Sequence, residues 1–284
     1  MTSPSETPTQ PGRGLLLAVD GDSLAHRAYH GLPSTIRGAG GRPANALTGF
    51  GNFLLRLWES EKPVAVVVGW DTLDAPTYRH EVLPDYQGGR VFDDAIIEQL
   101  AVLPGLAEAF GATCGRAPGF EADDFLAAAA ARWDGPVSVV TSDRDAFQLV
   151  TDRVTVLQPT KGVSELARIR PAEVRERYGV DPGQVADFIA LRGDPSDKIP
   201  GAPGVGPKKA AALLDEFGTL EAALEAGRFP TIERELRLYR RVATMDPLAP
   251  LPTIRPRPLD RAGAAARARE LGLGGLAGRI EGGR

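Results

Sequence analysis

Acidic side chains stand in this chain where they could do phosphoryl chemistry. Asp20 closes the run LLLAVD, Asp71 closes VAVVVGWD and Asp143 closes VSVVTSD. More acids come in tight groups: Glu121, Asp123 and Asp124 in FEADDF, Asp145 in TSDRDAF, and Asp194 with Asp197 in GDPSDK. Carboxylates forced into one pocket repel one another unless some are protonated or a cation sits among them. Oxygen-only donors, with no His or Cys at metal-ligand spacing, favour Mg²⁺ or Mn²⁺ over zinc. Two such ions can activate a water and stabilise the attacking and leaving oxygens of a phosphodiester, so metal-assisted hydrolysis is the chemistry to expect.

Each acid also has a plainer reading. Glu121, Asp123 and Asp124 open a helical pattern, where the macrodipole stabilises an acid by about 0.3–1 kcal/mol. Asp143 and Asp145 could bond local backbone after a strand. Neither reading explains why the acids recur at strand ends or at loops able to reach the same edge.

The elements that must position these acids are legible. Leu15 to Asp20, Val64 to Asp71 and Val137 to Asp143 are short apolar runs, the pattern of parallel strands buried on both faces. Helical patterns lie between them at Ala44 to Ser60, Ala95 to Phe110 and Glu121 to Trp133. The alternation predicts an α/β fold with a parallel sheet flanked by helices, which binds ligands outside the carboxyl ends of its strands. After about residue 170 the chain reads as short helices broken by Gly and Pro. There IPGAPGVGPKKAAALL holds a Gly204-Val205-Gly206 turn, then Pro207 at a first helical position, Lys208 and Lys209. Glycine lets backbone approach a phosphate, and a helix N-terminus favours an anion.

The domain organisation expected is a tail over residues 1–14, a catalytic domain over 15–170, a helical satellite over 171–250 and an extension over 251–284. Residues 1–14 are rich in Ser, Thr, Pro and Gly and are read as disordered. An Ala-rich helix from Arg261 to Leu271 is expected to pack back on the catalytic domain. With 284 residues, 43% of them hydrophobic, the chain can build one large core and a satellite. The single cysteine, Cys114, excludes a disulfide framework and a thiolate metal cage and fits a cytoplasmic setting. The chain shows no membrane-length apolar run and no signal peptide. A net charge of -4 is unusual for a DNA-binding protein, but bound divalent ions would reverse the field around clustered acids.

Six blocks in order, VDGDSLAHRAYH, APTYRHE, GFEADDFLA, TSDRDAFQL, RGDPSDKIPGAPGVGPKKAA and FGTLEAAL, resemble the 5′ nuclease family. That family comprises the 5′ nuclease domain of bacterial DNA polymerase I, the phage 5′ exonucleases and the flap endonucleases. The resemblance runs from about Leu15 to at least Ala226. It implies a resolvase-like (PIN-like) α/β domain with a helical arch, here about residues 77–115, followed by a helix-three-turn-helix that grips duplex DNA. It further implies that Asp20, Asp71, Glu121 and Asp123 hold one metal ion, that Asp143, Asp145 and Asp197 hold a second, and that Asp124 and Asp194 act as outer acids through water. Gly204, Val205 and Gly206 with Lys208 match the DNA-binding hairpin, where K⁺ can be held, and Lys209 follows. Arg27 and Arg79 match basic residues flanking the scissile phosphate, although either could be an ion-pair partner.

One departure stands out. The family usually has Tyr-Lys with an Arg three residues later at the base of the arch, the lysine helping to polarise the scissile phosphate. Here the segment is Asp85-Tyr86-Gln87-Gly88-Gly89-Arg90, so Tyr86 and Arg90 remain but the lysine position is Gln87. An amide can hydrogen-bond but cannot offset developing negative charge. The stretch VFDDAIIEQL is acidic and apolar where arches are often basic, so weak capture of single-stranded 5′ flaps is expected.

Three other readings compete. Asp20-Gly21-Asp22 after a strand resembles the start of haloacid-dehalogenase-type phosphatases, but that chemistry needs far fewer of the other acids. A non-catalytic DNA-binding scaffold has no reason to face so many acids toward a phosphate backbone. A ribonuclease of the same superfamily shares the carboxylate site, and the hairpin favours DNA or an RNA–DNA hybrid. No polymerase domain follows, so polymerase or ligase partners would act in trans on a chain expected to be a monomer and nucleoid-associated.

Overall fold

The computed structural model describes residues 14–72, 75–89, 92–161 and 165–282. The expected tail, apart from Gly14, and Arg90 lie outside the described residues. The strands are β1 (Leu16–Asp20), β2 (Ala65–Gly69), β3 (Thr113–Gly115), β4 (Val137–Val140), β5 (Val154–Lys161) and β6 (Glu165–Ile169). They form one sheet in the order β3-β2-β1-β4-β5-β6, parallel except for the antiparallel β5–β6 pair. Helices α1 (Gly21–Gly31), α2 (Asn45–Glu61), α3 (Tyr78–Val82), α4 (Asp94–Ala109) and α5 (Ala122–Arg132) belong to the first half. Then follow α6 (Pro171–Tyr178), α7 (Val185–Arg192), α8 (Pro207–Phe217), α9 (Leu220–Glu225), α10 (Glu233–Ala243), α11 (Arg261–Glu270) and α12 (Gly274–Gly282).

β1 shows why the sheet is central. All five of its residues are buried, with Leu16 and Ala18 in one apolar cluster and Leu17 and Val19 in another. The strand alternation thus feeds two cores, as a parallel sheet covered on both faces requires. The first core also holds Phe125 of α5, Phe188 of α7 and Leu214 of α8; the second holds Phe53 of α2, Leu103 of α4 and Leu276 of α12.

Chain direction across the sheet reverses beside β1. The strands β1, β2 and β3 run outward one way, and β4 then returns to the other side of β1. The carboxyl ends of β1 and β4 therefore splay apart at a switch point, which opens a crevice there. Three strands were not anticipated from the sequence. β3 is three residues long, β5 contains Pro159, and β6 interleaves exposed charges, so none forms an apolar run. The Ala-rich helix α11 packs on α4 and α12, and Arg261 pairs with Glu59 of α2 at 2.6 Å. No described helix is long and apolar enough to cross a membrane.

Candidate active site

A cleft of about 400 Å³ opens at the switch point. Its walls include Asp20, Asp22, Asp71, Glu121, Asp123, Asp143, Asp145, Asp194 and Asp197. Eight of the nine acids expected from the sequence are thus brought together.

Local structure fixes each wall. Asp20 ends β1 and caps α1, its Oδ1 accepting from Ser23 N at 2.9 Å while Oδ2 accepts from the Thr141 hydroxyl at 2.6 Å. That hydroxyl also accepts from Asp143 N at 3.0 Å, so one threonine after β4 aligns acids from two strands. Asp71 follows β2, and its Oδ1 accepts from Ala122 N, the first residue of α5, at 2.7 Å. Gly69 permits that approach, because a Cβ there would stand 2.3 Å from Ala122 O. Glu121 accepts from Thr77 Oγ1 at 2.8 Å and Tyr86 Oη at 3.1 Å. Across the cleft, Asp145 N donates to Asp143 Oδ1 at 2.9 Å, and Gln87 Nε2 donates to Asp197 Oδ1 at 3.2 Å. Asp194 is held by Arg192 at 3.1 Å.

The crowding is visible in the proton affinities. Burial, then the charges of Asp71 and Asp143, push Asp20 up to about 7 in spite of its hydrogen bonds. Burial foremost, with neighbouring acids adding to it, also raises Asp22, Glu121, Asp123 and Asp145 above the ordinary carboxylate range. Asp123 Oδ1 is buried with no hydrogen-bond partner. Acids outnumber the cations paired with them in this site, and its donors are hard oxygens, so the residues suit divalent cations. Among the described residues no three acids converge tightly enough to enclose an ion by themselves. Mg²⁺ tolerates that, because it commonly keeps several waters and takes one or two carboxylates plus substrate phosphate.

Several expected residues are committed differently from what the resemblance implies. Asp124 is turned inward with 0% exposure, accepting from Arg79, Glu121 N at 3.0 Å and Asp246 N at 2.7 Å. It braces the wall, and its carboxylate does not line the cleft. Arg79, 2% exposed, bonds Asp123, Asp124 and Val242 O, so it is an ion-pair partner whose donors do not reach out to a phosphate. Burial alone would lower the proton affinity of its guanidinium, but Asp123, Glu121 and Asp124 outweigh that and raise it. Tyr86 is buried beneath Glu121, and Arg27 lies half-buried on α1 outside the cleft lining. At the hairpin, Gly204 has φ +72°, Gly206 caps α8 and Pro207 opens it, with Lys208 exposed. Lys209 Nζ donates to Gly204 O at 3.0 Å, so it rests on the turn itself.

Asp22 is the acid the sequence reading missed as a site residue. Its Oδ2 accepts from Asp71 N at 2.7 Å, which ties the end of β2 to α1. The signal was present in Asp20-Gly21-Asp22, since a residue two places after an N-cap acid shares the first helical turn with it.

Comparisons with known proteins agree with this architecture. The family model for the 5′-3′ exonuclease N-terminal resolvase-like domain matches residues 15–179, and the one for the 5′-3′ exonuclease C-terminal SAM fold matches 180–256. The 5′-3′ exonuclease of Streptomyces coelicolor is 38% identical over 295 residues, covering 93% of this chain and 98% of that protein. DNA polymerase I of Mycobacterium bovis is 42% identical over 229 residues, covering 79% of this chain but 25% of the polymerase, so the chain spans about a quarter of that relative. A structure of the bacteriophage T5 flap endonuclease in a complex with DNA and metal ions shares the fold, with a TM-score of 0.65 at 21% identity over 94% of this chain and 98% of that one. With both halves matched in order and the acids gathered in one cleft, the chain belongs to the 5′-3′ exonuclease family.

Proposed function

We propose that this chain is a structure-specific 5′-3′ exonuclease and flap endonuclease that hydrolyses DNA phosphodiester bonds in replication and repair. The observation that carries the reading is the convergence of acids from β1, β2, α5, the loop after β4 and the loop after α7 on one cleft. Asp20, Asp71, Glu121 and Asp123 would hold one divalent ion, Mg²⁺ or Mn²⁺, and Asp143, Asp145 and Asp197 a second, one or two carboxylates of each set directly and the rest through water, with Asp194 acting through water. The chemistry supplied by two such ions is activation of a water and neutralisation of charge on the attacking and leaving oxygens.

The protein's own contribution is to fix the acids before substrate arrives. Thr141 and Ser23 N hold Asp20, Ala122 N holds Asp71, Thr77 and Tyr86 hold Glu121, and Arg79 holds Asp123 at 2.9 Å. Partners of this kind orient carboxylates toward a metal, and their loss commonly costs about 10–100-fold in affinity or activity. The Gly204–Gly206 turn with Lys208 would take a duplex phosphate, using open backbone and a helix N-terminus. K⁺ at that turn would compete with Lys209 for Gly204 O. We infer further that the chain works as a monomer in the cytoplasm, associated with the nucleoid, and meets polymerase or ligase in trans.

The test is a cleavage map on end-labelled flap, nicked, gapped and blunt DNA with Mg²⁺, Mn²⁺ or EDTA, with an RNA–DNA hybrid alongside. Metal-dependent release from 5′ ends or branch points, abolished by Asp143→Ala with DNA binding retained, is the expected result. Tight binding without cleavage in either metal would instead make the chain a DNA-binding scaffold. Cleavage confined to the hybrid would make it a ribonuclease.

A further inference from the structure

Among the described residues, the basic side chains lining the cleft are Arg79 and His26. Arg79 is committed to Asp123, Asp124 and Val242 O, and His26 packs its ring 5.0 Å from Phe92. A phosphodiester entering so acidic a cleft needs a cation near the rim, since charge-assisted contacts are what anchor phosphate. Gln87 stands at that rim, bonded to Asp197, and carries no charge.

Lys198 lies beside it. The loop that bears Lys198 is closed by two backbone bonds of 2.8 Å between Asp194 and Ile199. Its ends are pressed together, because a Cβ on Gly201 would stand 2.4 Å from Gly193 N. Lys198 itself is left-handed, with φ +57°, a conformation L side chains rarely adopt. This rigid base sends the side chain across to the turn after Gln87, where Nζ lies 3.4 Å from the place a Gly88 Cβ would take and 3.9 Å from that of Gly89. The turn is joined to the same loop by Gln87 N donating to Asp197 O at 3.3 Å. The Lys198 side chain is exposed and makes no hydrogen bond or ion pair among the described residues, while its backbone N donates to Pro195 O at 3.4 Å.

We propose that Lys198 contacts the substrate phosphate at the rim of the cleft and supplies the positive charge that Gln87 lacks. The inference rests on the phosphodiesterase reading for its catalytic consequence, but not for the contact. A neighbouring loop has placed an ammonium at the edge where the chain segment itself offers an amide.

Two measurements on the full-length chain test it, using Lys198→Ala and Lys198→Arg variants whose thermal unfolding matches the parent. In an Asp143→Ala background with Mg²⁺, which leaves DNA uncut, Lys198→Ala should reduce the slope of log affinity against log salt by about 1, as for one lost phosphate contact. With the acids intact, Lys198→Ala should lower the single-turnover cleavage rate on a 5′-ended duplex by about tenfold or more. Lys198→Arg should stay within about threefold of the parent, keeping the charge but not the point geometry of an ammonium. Gln87→Lys should restore the rate of Lys198→Ala. An unchanged slope together with an unchanged rate overturns the proposal, and so does a rate loss that neither Lys198→Arg nor Gln87→Lys relieves. A reduced slope in a chain that cuts nothing would sink the hydrolysis reading while the phosphate contact stands.

Discussion

Arg79 grips Asp124 at two points, Nη1 to Oδ2 at 3.0 Å and Nη2 to Oδ1 at 2.9 Å, with both side chains almost wholly buried. The pair is enclosed by Tyr78, whose ring stacks under the Arg79 guanidinium at 4.8 Å. Removing one partner of such a pair leaves an uncompensated charge in the interior. Asp124→Ala should therefore destabilise the fold by about 3–5 kcal/mol in urea unfolding. A loss below about 1 kcal/mol would mean that the carboxylate is exposed in solution, as an ordinary surface pair is.

Proton linkage gives a second prediction. Asp20 is raised to about 7, and Asp22, Glu121, Asp123 and Asp145 are raised in the same direction, all with burial as the leading cause. Between the unfolded carboxylate range and about pH 7 the folded metal-free protein binds more protons than the unfolded chain, so stability falls with rising pH. This contribution is fully present below about pH 4 and lost as pH passes through the folded value near 7. Thermal melts in EDTA should show a midpoint that declines from pH 5 to 8, and Mg²⁺ should restore most at the alkaline end. A midpoint in EDTA that rises across that window would contradict the crowding.

The same crowding makes an acid-to-amide change favourable for folding. Asp145→Asn removes a charge pressed by burial and by Asp143, Asp197 and Asp194. The metal-free variant should gain about 0.5–2 kcal/mol, the range common where a strained site is relaxed at the cost of function. Cleavage should drop at least about 100-fold. Calorimetry in EDTA and single-turnover kinetics in Mg²⁺ read the two effects separately, and a variant losing both stability and activity would refute the trade-off.

Thr141 is a positioning residue, since its hydroxyl joins Asp20 to Asp143 N. Thr141→Val should weaken metal affinity by about 10–100-fold, while Thr141→Ser should largely preserve it. Titration calorimetry with Mn²⁺ measures this without reference to cleavage. Equal affinity in Thr141→Val would show that the hydroxyl aligns nothing.

Gly69→Ala tests how β2 meets α5. The added methyl would meet Ala122 O at 2.3 Å, a backbone atom that cannot swing aside. Overpacking of this sort costs about 1–3 kcal/mol, and it should part Asp71 from Ala122 N with loss of activity. An active variant of parental stability would show that the sheet relaxes at that edge.

The sequence made the acidic end of the sheet legible because the runs ending in Asp20, Asp71 and Asp143 are apolar on both faces, and few environments but a covered parallel sheet accept that. The acids after β2 and β4 lie beyond the last paired residue, so the strands deliver them through short turns. The sequence could not tell Asp123 from Asp124. Both sit in the first turn of α5 and both bond Arg79, and only the docking of α3 and α10 decides which also lines the cleft and which is turned fully inward. Arg79 looked like a phosphate contact for a related reason, since pairing and solvent exposure are tertiary properties. Lys198 was hidden within SDKIP because its reach to Gly88 depends on two loops far apart in the chain. β5 and β6 escaped because a half-exposed hairpin carries charges and a proline where the central strands carry valine.

Arg79 also bonds Val242 O, Tyr78 bonds Thr244 O and Asp124 receives Asp246 N, so the end of α10 and the segment after it are bolted to the catalytic wall. The end of that helix is accordingly tied to the cleft wall by direct hydrogen bonds. A duplex seated on the helical C-terminal region would be indexed to the acids like a workpiece in a jig, and each cut would fall at a constant step from the seat, whatever the length of the strand being removed.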